Sequence, residues 1–119
     1  IFFGGSNYIN HPDHRAVATA VLEAIFPAAR NHRIFPELLA EGLEPHRVDE
    51  VLISAWDGGD FVVDVSGFMD KKIEALRAHK SQMGEWDPND EIRKWSEERG
   101  TKQDPPMAYA EAFRKFVLD

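Results

Sequence analysis

Two imidazoles and a carboxylate lie within four residues in His11-Pro12-Asp13-His14. Histidine is the commonest neutral metal ligand and the natural acid or base near neutral pH. Pro12 fixes its own φ, which limits the mutual freedom of the two rings. In such a segment one histidine can bind a metal while the other faces a substrate. A carboxylate two residues on can orient a ring, hold its tautomer and raise its pKa. Two histidines fall short of the three or four protein ligands of a zinc site. The competing reading is a capped helix with two surface histidines.

The elements that must position this segment can be read on either side of it. Residues 1–10 read as a loop, since Gly4, Gly5, Ser6, Asn7 and Asn10 are turn chemistry. A helix follows, with Asp13 as its N-cap and an apolar stripe of Val17, Ala20, Val21, Ala24, Ile25 and Ala28. Pro27 should end or kink it. Pro36 can open a short helix that Gly42 stops. Glu50 to Trp56 reads as a buried strand, 57–60 as a turn and Phe61 to Val65 as a second strand. Ser66 can cap a helix running to about Met83, with Ile73, Leu76, His79 or Lys80, and Met83 inward. Asp87-Pro88 opens another helix, with Ile92, Trp95 and Arg99 on one side. A last helix is expected to gather Tyr109, Phe113, Phe116 and Val117. Two strands make a poor sheet alone, because most sheets have about five or six. Together with Ile1 in place of Met, this points to part of a larger α/β domain.

Composition narrows the function classes. The chain has 119 residues, 43% hydrophobic and 29% charged, which suits one globular domain. A net charge of −7 offers no basic footprint for nucleic acid or an anionic membrane surface. No apolar run reaches the roughly 18 residues a membrane-spanning helix needs. There is no cysteine, which excludes disulfides and thiolate sites and fits a cytoplasmic protein. Asp57-Gly58-Gly59-Asp60 lacks the further carboxylates of a calcium loop and reads as a tight turn. Trp56, Trp86 and Trp95 could stack on a sugar, though their spacing favours core packing. His32 and His46, beside Arg33 and Arg47, read as surface residues.

Tyr8-Ile9-Asn10-His11-Pro12-Asp13-His14-Arg15-Ala16 resembles the second conserved motif of the LmbE-like, or PIG-L, family of zinc-dependent N-deacetylases. The segment Phe35 to His46 is similar to that family's linking segment. Ile73 to Gln82 is similar to its late helix, which commonly reads H-x-S-Q and here is His79-Lys80-Ser81-Gln82. The three segments come in the family's order and span most of the chain.

The resemblance implies the C-terminal part of a Rossmann-like α/β deacetylase domain, helix-rich with two or three strands. It implies zinc-dependent removal of an acetyl group from an N-acetylated amino sugar, such as an N-acetylglucosamine conjugate. By that match His14 binds zinc, His11 stabilises the oxyanion or protonates the leaving amine, and Asp13 orients His11. Tyr8 would close on the substrate, and His79, Ser81 and Gln82 would lie near the active-site wall. The family's other two zinc ligands and its general base belong to an A-H-P-D-D-E segment that this sequence lacks. The implied partners are therefore an N-acetyl sugar and the protein's own N-terminal half or another copy of the chain, and the chain alone should be inactive. The rival readings are a non-catalytic binding domain derived from the family and a related metal-dependent esterase.

Overall fold

The computed structural model describes residues 3–4, 8–55 and 58–119. The chain divides into two compact units, Ile1–Leu52 with Phe116–Asp119, and Ile53–Lys115.

In the first unit, β1 (Phe3–Gly4) and β2 (Tyr8–Ile9) pair antiparallel, Phe3 opposite Ile9 and Gly4 opposite Tyr8. A loop was expected throughout 1–10; residues 1–2 and 5–7 lie outside the described residues. Helix α1 (Pro12–Glu23) follows, then one wider turn at Ala24–Ala28. Phe26 is extended there, with φ −149° and ψ 127°. The residue before a proline is pushed out of the helical region by the proline ring, so Pro27 breaks the helix as its sequence implies. Helix α2 (Pro36–Ala40) carries Pro36 at its first turn, and Gly42 ends the segment at φ 83°. That left-handed backbone favours glycine.

The apolar stripe of α1 does not lie where the periodicity puts it. No residue of α1 is buried; Ala18, Leu22 and Ile25 beyond it are half-covered, while Val17 and Val21 are 66% and 51% exposed. Apart from Thr19 and Glu23, residues 16–25 are apolar all round. A helix of that kind is normally enclosed on several sides.

Strands β3 (Glu50–Ser54), β4 (Phe61–Asp64) and β5 (Ala110–Val117) form a three-stranded sheet in the order β3-β5-β4. The β4–β5 pair is antiparallel, with Phe61 opposite Phe113 and Asp64 opposite Ala110. The amide of Ala55 donates to the Ala112 carbonyl at 3.0 Å, just past the end of β3. The expected buried strand is thus an edge strand: its residues alternate between exposed and half-covered, and Leu52 is 45% exposed.

The last segment is a strand, where a helix was expected. Tyr109, Phe113 and Phe116 have helical spacing, but burial follows a period of two, with Ala110 and Ala112 buried and Glu111 less so. A short aromatic run satisfies both periods, and a partner strand decides between them.

In the second unit a single 3-10 turn, Ser66–Phe68, leads into α3 (Met69–Arg77), α4 (Lys80–Met83) and α5 (Asn89–Gly100). Asp64 accepts from the Ser66 hydroxyl at 2.5 Å and its amide at 2.9 Å, and these bonds hold the Asp64 carboxyl below its ordinary pKa. Met69, Ile73, Ala110 and Ala112 form the buried apolar core. Arg77 grips Asp87 through both oxygens, at 2.9 and 2.8 Å, and Asp87 also accepts from the Asn89 amide at 3.1 Å. Asp87 therefore secures the start of α5 as its sequence implies. Arg93 bonds Asp70 and lies 6.0 Å from the Tyr109 ring centroid. Among the described residues, no helix is long and apolar enough to cross a membrane.

Candidate active site

His11, not Asp13, caps α1. Its backbone is extended at ψ 143°, and its Nδ1 accepts the Asp13 amide at 3.3 Å. The reason is Pro12. Proline suits the first helical position because its locked φ is already helical and it has no N–H to satisfy, so the cap must precede it. Asp13 falls in the first turn instead, where a negative charge is favoured by the helix dipole. The Arg15 amide donates to the His11 carbonyl at 3.1 Å, closing the first turn.

This cap has a chemical consequence. A neutral imidazole whose Nδ1 accepts a hydrogen bond carries its proton on Nε2. His11 therefore offers an Nε2–H donor while its other nitrogen is engaged by the helix. Asp13 Oδ2 stands 3.6 Å from the same Nδ1, and both side chains are largely solvent-exposed. The His14 ring lies one helical turn on, its centroid 6.1 Å from that of His11 and its plane at 63° to it. The two rings are thus edge-on neighbours, one of them with its donor nitrogen defined.

Among the described residues, no three His, Asp or Glu side chains converge to hold a metal ion. The donors among the described residues do not complete a zinc site.

Tyr8, half-exposed in β2, stands three residues before His11, so Tyr8, His11, Asp13 and His14 occupy one short stretch of the first unit. His79, Ser81 and Gln82 belong to the second unit, and all three are exposed. The expected continuous helix to Met83 breaks at Ala78 and His79, where ψ turns to 53°. His79 accordingly leaves the inner stripe, and its carbonyl accepts the Gln82 and Met83 amides at 3.0 and 3.1 Å.

Two tryptophans also depart from expectation. Trp86 is 44% exposed and bonds Glu91, and Trp95 is 39% exposed. Trp56 lies outside the described residues. Gly58 has φ 70° and Asp60 accepts the Lys115 amide at 2.7 Å; Asp57, where the expected turn begins, lies outside the described residues. His32 and His46 are exposed, as expected. A half-buried ion pair between Lys72 and Glu111 was not anticipated; its members are 39 residues apart, and nothing local in the sequence marks them.

No family model matches the chain. A stretch of 86 residues is 34% identical to diacetylchitobiose deacetylase of Thermococcus kodakarensis, covering 68% of this chain and 32% of that protein. A stretch of 72 residues is 36% identical to a probable N-acetyl-alpha-D-glucosaminyl L-malate deacetylase 2 of Bacillus subtilis, covering 60% of this chain and 29% of that protein. The chain is related to the LmbE-like deacetylases. The match spans about a third of the length of these curated relatives. The mixed α/β fold, with its three-stranded sheet, is consistent with part of an LmbE-like domain. The described β4–β5 pairing is antiparallel, unlike the parallel pairing typical of a Rossmann-like sheet.

Proposed function

We propose that this chain supplies part of the active site of a zinc-dependent deacetylase that hydrolyses the N-acetyl group of an amino sugar, such as an N-acetylglucosamine conjugate. The supporting observation is the His11–His14 turn, where Pro12 and the helix start orient His11 with an Nε2–H donor one turn from His14. The two relatives, named as deacetylases of N-acetylated sugars, support the same substrate class.

In this reading His14 gives one ligand to zinc, and the other ligands come from the protein's N-terminal half or from another copy. The metal, when bound, polarises the acetyl carbonyl and acidifies water. His11 Nε2–H donates to the acetyl oxygen as negative charge grows there. Such a placed donor is worth most in the transition state, because it is already oriented when the charge develops. In this reading Asp13 would orient the His11 ring, its amide donating to Nδ1 at 3.3 Å. Tyr8, three residues before His11, would in this reading cover the substrate.

The test is acetate release from diacetylchitobiose and from N-acetylglucosaminyl malate by the full-length gene product, with zinc content measured on the same sample. Activity with about one zinc per chain, and loss of both in His14→Ala, is expected. Metal-free protein without activity would favour the binding-domain reading. Preference for an O-acetyl ester over the amide would favour the esterase.

A further inference from the structure

The start of α1 holds two better capping residues than the one that caps it. Asn10 and Asp13 flank His11-Pro12, and both are of the types most favoured at a helix N-cap, which histidine is not. Yet His11 takes the cap, at φ −51° and ψ 143°, with its Nδ1 accepting the Asp13 amide at 3.3 Å. Strand β2 ends at Ile9, so α1 has room to begin one residue earlier, with Asn10 as cap and His11 as the first helical residue.

Pro12 prevents that. A proline ring clashes with a helical backbone at the preceding residue and pushes it to the extended region. His11 is thereby barred from the helix, and the cap cannot move back to Asn10. Moving it forward to Asp13 would take Pro12 out of the first helical position, which suits its locked φ, and would shorten α1 by its first residues. The proline thus holds a less favoured residue at the cap, and its ring with it. The Asp13 amide occupies Nδ1 and leaves the proton on Nε2. The side chain is 63% exposed, and a neutral imidazole in water that is not held turns about its side-chain bonds and shares its proton between both nitrogens. A local preference given up in this way is what a functional position looks like.

We infer that Pro12 is a positioning residue, which fixes the direction and the tautomer of His11 so that Nε2–H is presented before a substrate arrives. The use of that donor rests on the deacetylase reading; its placement rests on the geometry of the helix start. Pro12 acts through His11.

The experiment compares wild type with Pro12→Ala and with Asn10→Ala/Pro12→Ala. In the 119-residue chain, NMR in alkaline buffer reads the Cα shift of His11 for its backbone and the imidazole nitrogen shifts for its tautomer. Wild type should be extended at His11, with the proton on Nε2. Pro12→Ala should move the Cα shift to helical values and return the nitrogens to the mixture of an unconstrained histidine. In the active full-length enzyme the same substitution should lower kcat about 10- to 100-fold, with KM and zinc content little changed, as a group misplaced by about 1 Å loses that much. Asn10→Ala/Pro12→Ala removes the competing cap as well, so it should return His11 to the extended region and recover much of the rate. A helix that is merely less stable would lose further activity instead.

A His11 that stays extended with Nε2–H in Pro12→Ala would overturn the inference. So would a displaced His11 with wild-type kcat, or a double variant slower than the single one. A wild-type full-length protein that releases no acetate would overturn the deacetylase reading, and the catalytic use of the donor with it, while the NMR comparison still decides whether Pro12 places His11.

Discussion

At the scale of single residues, His11 combines two tasks that the sequence does not separate. It ends the loop by capping α1 through Nδ1, and in the proposed reaction it gives its Nε2–H to the substrate. His11→Ala removes both, while His11→Asn keeps a good helix cap and removes only the imidazole. In the active full-length enzyme, His11→Asn is expected to lower kcat by about 10²–10³ with little change in zinc content or melting temperature. His11→Ala should lose similar activity and, in addition, about 1 kcal/mol of stability from the lost cap. Equal rates for wild type and His11→Asn would leave His11 a purely structural cap. The spacing of the two histidines was legible because it is local. The identity of the cap was not, because aspartate is the commoner capping residue and only Pro12 at the first helical position displaces it by two.

Elements raise a different question, because each depends on what lies beside it. The strand identity of β5 was hidden, since its aromatic residues satisfy a helical spacing as well as an alternating one. What settles it is β4, 46 or more residues earlier in the chain, lying opposite it from Phe61–Phe113 to Asp64–Ala110. Gly59 shows how close this packing is: a Cβ there would meet the Phe113 carbonyl oxygen at 2.7 Å and the Ala112 Cβ at 2.9 Å. Gly59→Ala should therefore destabilise the second unit by about 1–3 kcal/mol, measured by urea denaturation, because backbone must move to admit the methyl group. The Asp87-Pro88 start of α5 was legible, since capping and proline are local signals. Its tie to α3 through Arg77 was not. Arg77 holds the Asp87 carboxyl below its ordinary value of 3.8. A depressed folded-state pKa contributes stability that is present above 3.8 and lost as pH falls through the lowered value. Wild type should thus melt higher than Asp87→Asn at neutral pH, and the two melting temperatures should converge in acid well below 3.8. A constant difference across that range would assign the effect to packing.

For the whole molecule, the informative feature is an apolar helix with little to cover it. The helix was legible from the spacing of Val17, Ala20, Val21, Ala24 and Ile25, but which flank is covered depends on neighbours. Val17 and Val21 stand 66% and 51% exposed, and the relatives are about three times as long as the segments they share with this chain. Val21→Lys is therefore expected to cost the 119-residue chain little. In the full-length protein it should lower the melting temperature by several degrees, since a charge would then be buried without a partner. Equal effects in both would mean that the face stays open to solvent.

The strand order also sets a schedule. β5 sits between β3 and β4, yet it follows both in the chain. During synthesis the two outer strands leave the ribosome first and have no strand of this sheet to pair with until residues 110–117 emerge. A transcript truncated before Ala110 would make a product with two solitary strand edges, the form most prone to pairing with other chains. Loss of these eight residues should therefore be felt by the cell as aggregation and proteolysis, before any question of chemistry arises.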